Sequence, residues 1–300
     1  MSPEPTVSVV IPVLNGANTI GDTLTSLANQ LGAPPNTEII VVDNGSHDDT
    51  QDIVKRFEVT LLTESTRGPS AARNRGLYAA RGEIVAFLDA DVLPTRYWLQ
   101  ELIAPFAASN VTLVGGALRD YIAETAPERF MAQFGTYQFE YDIFLKGVPH
   151  ISSSNMAVRR EAALAIDGWD EAFITAEDFD FTIRLVRQLN ACIERVPNAV
   201  ALHRHRRTDE ALRHQAWRYG EGLARLHLRY PEFGELDSRR RALNWTLRVR
   251  SAKARLLPLA ARLGWTTPER AEFAQYHWMW SESFWRGYFS MLYYVEWREP

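Results

Sequence analysis

Val7-Ser8-Val9-Val10-Ile11-Pro12 and Glu38-Ile39-Ile40-Val41-Val42-Asp43 decide the architecture. Both are nearly continuous β-branched runs, the pattern of strands covered on both faces. Between them, Asn18 to Gln30 carries Ile20, Leu24 and Leu27 at helical spacing, with Asn18 or Thr19 as cap. The alternation continues through a helix over Asp49 to Phe57, a strand over Val59 to Leu62, a helix over Ser70 to Ala80 and a strand over Glu83 to Leu88. Strands and helices alternating in this way predict an α/β fold, with a mostly parallel sheet between helices.

After Leu202 the strand signal stops. Three amphipathic helical stretches follow, Thr208 to Arg229, Ser238 to Leu263 and Pro268 to Tyr294. The expected division is an α/β domain over residues 1–205 and a helical region over 206–300. A hydrophobic content of 46% in 300 residues suffices for a large core and argues against disorder. The lone Cys192 excludes an intramolecular disulfide and a cysteine-rich zinc site. Met1 to Thr6 has no basic or apolar leader character, and the uncharged run Leu102 to Leu118 is broken by Pro105, Ser109, Asn110 and two glycines. A cytoplasmic address is expected, at the inner face of the membrane if the C-terminal helices touch lipid.

In open parallel sheets the ligand crevice lies beyond the carboxyl ends of the strands, and the acids gather there. Asp43 ends the second strand in Asp43-Asn44-Gly45-Ser46, and Asp89-Ala90-Asp91 ends the fourth. Asp89 and Asp91, two apart on an extended chain, project to one side, and paired carboxylates near a phosphate suit Mg²⁺ or Mn²⁺. The same residues also suit plain turns: Asp-Asn-Gly-Ser is a turn with a helix cap, and an Asp-x-Asp pair is common at a strand exit.

The ordered set of motifs resembles the inverting glycosyltransferases of family 2, with the GT-A fold, from Val7 to His205, about two-thirds of the chain. Val7 to Asn15 resembles the family's opening strand and nucleotide loop, which implicates Pro12, Val13 and Asn15. Val42-Asp43-Asn44-Gly45-Ser46, with Asp48 and Thr50, is similar to the motif whose aspartate contacts the base. Arg67-Gly68-Pro69-Ser70-Ala71-Ala72-Arg73-Asn74-Arg75-Gly76 resembles the segment against the nucleotide and pyrophosphate. Phe87-Leu88-Asp89-Ala90-Asp91 is similar to the metal and ribose motif. Gly168-Trp169-Asp170 and Ala176-Glu177-Asp178-Phe179-Asp180 resemble the acceptor side and the Glu-Asp motif that supplies the catalytic base. By this resemblance the base is Asp178. Phe179, Ile183 and Val186 recur at helical spacing, so Glu177 and Asp178 fall in a first helical turn, whose partial positive charge favours an ionised carboxylate. A histidine after the last strand completes the metal shell in the family; His203 is the first choice and His205 the second. A solvated basic stretch is the plainer reading of both.

The resemblance implies transfer of a sugar from a nucleotide-sugar, UDP-sugar foremost, to an acceptor hydroxyl. Mn²⁺ or Mg²⁺ on Asp91 and His203 would neutralise the leaving diphosphate. Arg67 and Arg73 would add contacts to phosphate or base edges. Glu177 would orient or touch the sugar, Ser152-Ser153-Ser154-Asn155 would line the donor or acceptor, and Trp169 would stack on a sugar face unless it is buried. The acceptor is open among a glycan, a lipid-linked glycan, a peptide and a small molecule. A sugar-phosphate nucleotidyltransferase would need a glycine-rich basic loop after the first strand, which Pro12-Val13-Leu14-Asn15-Gly16 is not. A catalytically silent nucleotide-sugar binder would lack metal or base residues, which are all present.

Between His203 and Arg262 stand fifteen Lys or Arg against six Asp or Glu, in a chain of net charge −4. No nucleic-acid motif accompanies them, so nucleic acid is not an expected partner. Phe273 to Trp297 holds eleven aromatic residues. They require an apolar contact: the catalytic domain first, then a homodimer partner or a membrane surface.

Overall fold

The computed structural model describes residues 6–135, 150–233 and 236–296; of 236–244 and 293–296 it describes the backbone alone. The chain falls into two compact units, Met1–Tyr121 with Pro149–Arg204 and Ile122–Val148 with His205–Pro300. Thus the described residues 122–135 leave the middle of the first unit for the second, whereas the sequence predicts a helical region over 206–300 alone.

The first unit is built on one sheet of eight strands: β1 (Val7–Val13), β2 (Glu38–Asp43), β3 (Thr60–Thr63), β4 (Ile84–Leu88), β5 (Val92–Pro94), β6 (Val111–Asp120), β7 (Asn155–Arg159) and β8 (Cys192–His203). Their order is β3-β2-β1-β4-β7-β6-β8-β5. β1 pairs in parallel with β2 and β4, β2 with β3, and β6 with β8. β7 runs antiparallel between β4 and β6, and β5 antiparallel on β8. The first half of the sheet is the βα alternation expected. The second half is mixed, because β7 and β5 run against their neighbours while β6 and β8 stay parallel.

Period two along β1 and β4 sends alternate residues to two cores. Val9, Ile11, Ala86 and Leu88 pack with Ile20, Leu24 and Trp98, from α1 (Ile20–Ala28) and α4 (Trp98–Ile103). Val10, Val85 and Phe87 pack with Leu77, Trp169 and Phe181 on the other face, where α3 (Pro69–Ala79) and α7 (Glu177–Leu189) lie. The short helices α2 (Thr50–Val54) and α6 (Arg160–Ala165) complete this unit. β6 crosses the uncharged run that the sequence reading treated only as a poor membrane span. Gly116 sits in it because a Cβ there would lie 2.5 Å from the Asn155 side chain.

The second unit contains α5 (Ala126–Phe134), α8 (Asp209–Arg229), α9 (Leu236–Arg262) and α10 (Pro268–Glu296). Thr125 and Glu128 form a reciprocal capping box at the start of α5. The aromatic side chains of α10 find their apolar contact here: Trp280, Phe284, Trp285 and Tyr288 are buried, and Phe130 of α5 stacks among Phe134, Phe273 and Tyr276. The contact expected with the catalytic domain is thus met, for these residues, by helices of their own unit. The side chains of Tyr293, Tyr294 and Trp297 lie outside the described residues. Among the described residues no helix is long and apolar enough to cross a membrane.

α8 and α10 approach so closely that a Cβ on Gly220 would stand 1.9 Å from the Phe284 carbonyl oxygen, and one on Gly287 2.1 Å from that of Trp217. Backbone cannot yield as a side-chain tip can. Gly220→Ala is therefore expected to destabilise the protein by about 1–3 kcal/mol in urea denaturation; an unchanged midpoint would contradict this packing.

Candidate active site

Four loop ends of the first unit meet through one buried guanidinium. Arg73, on α3, donates from Nη2 to Asp89 Oδ1 at 2.7 Å and from Nη1 to Glu177 Oε1 at 2.8 Å. Its ring neighbour is Trp169, 5.2 Å from the guanidinium carbon. Asp89 follows β4, and Glu177 opens α7, so Arg73 ties a strand end 16 residues from it to a helix start 104 residues from it. Ser154 Oγ donates to the other Asp89 oxygen at 2.6 Å, and Ser153 Oγ to Glu177 at 3.3 Å. Arg73 has its charge fixed by these partners: burial works against the cation, but Asp89 and Glu177 outweigh it and raise its pKa.

Asp178 follows in the same first turn. Its Oδ2 lies 3.0 Å from His150 Nε2, and its Oδ1 accepts from the Phe179 amide at 3.0 Å. Burial opposes ionisation, yet His150 and then Arg73 prevail, and the Asp178 pKa stays below its ordinary value. Glu177 goes the other way: burial, opposed by Arg73 and reinforced by Asp178, pushes it up to about 7. Ala176, just before the helix, adopts the left-handed conformation at φ 63°, a strain of roughly 1–2 kcal/mol for a residue with a Cβ. Strain of this kind is held by its surroundings at sites where geometry matters.

The second acid of Asp89-Ala90-Asp91 faces a different neighbour. The Arg204 amide donates to the Asp91 carbonyl at 3.1 Å, which stitches the exit of β8 to the turn after β4. His203 Nε2 consequently stands 3.9 Å from Asp91 Oδ1. Among the described residues no three His, Cys, Asp or Glu side chains form a metal cluster. One carboxylate and one imidazole nevertheless fit a divalent ion that completes its shell with substrate oxygens.

The loops after β1 and β2 are clamped together. Ser46 Oγ accepts from the Asn15 amide at 2.8 Å, Asn15 Oδ1 from the His47 amide at 2.9 Å, and Thr50 Oγ1 from the Gly16 amide at 2.8 Å. Asn15 is exposed with φ 51°, while Pro12 and Val13 pair with Val42 and Asp43 in the sheet, and Val13 is buried. Asp43 is buried too, its carboxylate accepting from Gln51 Nε2 at 2.8 Å and from the Ser46 amide. A base can reach Asp43 only if the side chains above it give way.

Three expectations need correction. Arg73 does not offer its charge to phosphate or base edges; it is 2% exposed, and both terminal nitrogens hold carboxylates. Arg67, by contrast, is exposed ahead of α3. Asn155 is not a sugar contact, because its amide accepts from Trp98 Nε1 at 2.7 Å and donates to the Ala117 and Ala199 carbonyls. Trp169 does not present a face for stacking; it lies buried with its ring on Phe181, centroids 4.1 Å apart. His150 escaped the sequence reading. Its only signal was its place two residues before Ser152-Ser153-Ser154, with no spacing to link it to Asp178.

Residues 8–166 match the family model of glycosyl transferase family 2. The chain belongs to that family. The glycosyltransferase AglE of Haloferax volcanii is 32% identical over 188 residues, 60% of this chain and 61% of that protein. A pre-mycofactocin glycosyltransferase of Mycobacterium tuberculosis is 31% identical over 240 residues, 75% of this chain and 48% of that protein. The chain thus spans about half to three fifths of the length of these curated relatives. Among solved structures, the mannosyltransferase PcManGT from Pyrobaculum calidifontis, in complex with GDP-Man and Mn²⁺, superposes with a TM-score of 0.63 at 20% identity, over 97% of this chain and 88% of that one. That likeness establishes the GT-A fold of this family 2 member. Glu177, Asp178 and His203 lie beyond the matched stretch, so their roles rest on geometry.

Two outcomes follow for the acid cluster. Arg73→Leu leaves the buried Glu177 and the half-buried Asp89 uncompensated and is expected to cost about 3 kcal/mol in chemical denaturation, with little rescue by Lys, which lacks the fork; a variant as stable as wild type would contradict the bridging role. Because Glu177 titrates near 7 in the fold against an ordinary 4.5, its protonated form favours the folded state. Stability relative to Glu177→Gln should therefore fall as pH rises from 4.5 to 7; a flat difference across that range would contradict the raised pKa.

Proposed function

We propose that the protein is a metal-dependent glycosyltransferase that moves a sugar from a nucleotide-sugar to an acceptor hydroxyl with inversion. The observation that carries this reading is Asp178, a carboxylate kept ionised by His150 and Arg73 in the first turn of α7, tied through Arg73 to the Asp89 end of β4. Inversion needs in-line attack by a hydroxyl that loses its proton as the diphosphate departs. Asp178 takes that proton as general base, a role that contributes about 10²–10⁴-fold. His150 orients the carboxylate.

Asp91 and His203 would hold Mn²⁺ or Mg²⁺, which when bound supplies Lewis-acid neutralisation of the leaving diphosphate. Arg67, exposed beside the start of α3, adds a charge-assisted contact to phosphate. The clamped loops after β1 and β2 form the nucleotide side, with Asn15 at its surface and Asp43 beneath it. A carboxylate there accepts from the ring N–H of uracil or guanine and finds no such donor on cytosine. Thymine carries the same ring N–H, so this favours UDP-, dTDP- and GDP-sugars over CDP-sugars, and a UDP-sugar is the donor proposed. Asp89 fits a ribose hydroxyl with the oxygen edge left by Arg73 and Ser154. Glu177 positions Arg73 and the first turn of α7. The acceptor is a glycan, lipid-linked glycan, peptide or small molecule.

Separation of binding from turnover tests these roles. Asp178→Asn is expected to lose about 10²–10⁴-fold in turnover while nucleoside diphosphate binding by calorimetry stays near wild type. Asp91→Ala is expected to weaken that binding and to remove its dependence on Mn²⁺. Equal loss of binding in both variants contradicts the division. Slow donor hydrolysis across a panel of nucleotide-sugars, with each metal in turn, identifies donor and ion together.

A further inference from the structure

Among the described residues of the second unit, one face of α9 is left unused by the proposed reaction. Trp245, Val249, Ala252, Leu256, Leu259 and Leu263 recur at spacings of four and three, which aligns them along one side of the helix. Most of this side faces away from the packed helices; at its margin Trp245 and Val249 line a shallow groove with Ala274 and His277 of α10. Trp245, Leu256, Leu259, Leu263 and the following Trp265 are between 55% and 80% exposed. The opposite side is the one that packs, with Arg250 hydrogen-bonded to Ser281 of α10 and Ala254, Leu257 and Pro258 half-buried. A helix that buries its mixed face and presents its apolar stripe to solvent is inverted relative to a soluble surface helix, and contiguous apolar exposure of this kind marks an interaction site.

Charge selects the occupant. From Trp245 to Trp265 there are five Lys or Arg and no Asp or Glu. Arg248, Arg255 and Arg262 are seven residues apart and line one edge of the stripe, and Lys253 lies on the other. All four are exposed. Long basic side chains beside an apolar strip can lay their stems along hydrocarbon and keep their charges at headgroup level. Tryptophans near both ends of the strip suit the same boundary, being apolar with one N–H donor. A protein partner would match the apolar stripe, but it would need a run of acids on both sides; a second copy of this helix would set the same positive edges against each other.

We propose that α9 is an interfacial helix that docks the protein on an anionic lipid bilayer, with Trp245, Leu256, Leu259, Leu263 and Trp265 inserted and Arg248, Lys253, Arg255 and Arg262 on the headgroups. The two contributions are of the kinds that act together in reversible membrane binding, buried apolar area and a basic margin. The surface is distinct from the aromatic helix α10, whose described rings are largely spent on internal packing.

The test is flotation of the full chain with vesicles of phosphatidylcholine alone and with about a quarter phosphatidylglycerol, at low and high salt, since the attraction to anionic headgroups falls within a Debye length. The expected result is binding to the anionic vesicles at low salt, reduced by high salt. L256E/L259E should lower that binding by roughly ten-fold or more, and R248Q/R255Q/R262Q should remove its preference for anionic lipid. Both variants alter exposed side chains, so unchanged melting temperatures confirm that they fold. Brominated acyl chains should quench tryptophan emission in wild type, and less in W245F/W265F. No flotation with anionic vesicles at low salt, or binding unaffected by L256E/L259E, overturns the proposal. So does a wild-type dimer in solution that L256E/L259E converts to monomer without any vesicle binding, because the stripe is then occupied by a second copy.

Discussion

A single buried cation organises the first unit. Arg73 sits beneath the strand ends, and its forked donors reach Asp89 on one side and Glu177 on the other. Glu177 is buried and could not hold its charge without that partner, since an unpaired ion away from water costs several kcal/mol, while Asp89 is partly open to solvent. The guanidinium in turn is held by the stacked pair of Trp169 and Phe181 and by the edge contact of Phe87 on Trp169. Asn74, the next residue, fixes the same corner: its side chain both accepts from the Trp169 amide and donates to the Trp169 carbonyl. Residues far apart in sequence therefore share one electrostatic and packing unit, and the helix that carries Asp178 has its start defined by it.

That unit explains how adjacent carboxylates acquire opposite character. Glu177 and Asp178 are neighbours in one turn, yet burial dominates the first while the partners of the second overcome burial. One is near the point of protonation at neutral pH and the other is firmly ionised. Environments that push paired carboxylates apart are how acid and base roles are divided. In the proposed reaction only the ionised member accepts a proton, and the other keeps Arg73 in place.

The first four strands and three helices were legible because β-branched runs and helical spacing alternate cleanly from Val7 to Leu88. The placement of Asp89 and Asp91 beyond β4 followed from the same reading. The mixed half of the sheet was not, because β6 is interrupted by Gly115 and Gly116, whose reason is the approach of Ile151 and Asn155. Roles assigned to Arg73, Asn155 and Trp169 failed for a common cause: a residue type suited to a ligand is equally suited to the core, and burial depends on distant partners such as Glu177, Trp98 and Phe181. His150 was invisible because its relation to Asp178 exists only in three dimensions. In the helical region the count of aromatic residues pointed to α10 as a contact surface, whereas the exposed stripe belongs to α9.

The most direct test of the convergence of acids on one diphosphate site is anomalous diffraction at the manganese edge, from crystals grown with Mn²⁺ and UDP. One strong peak held by Asp91, His203 and the diphosphate is expected, with the Asp178 carboxylate open to the same diphosphate site. A peak away from both Asp91 and His203, or an Asp178 carboxylate with no path to the diphosphate, would contradict it.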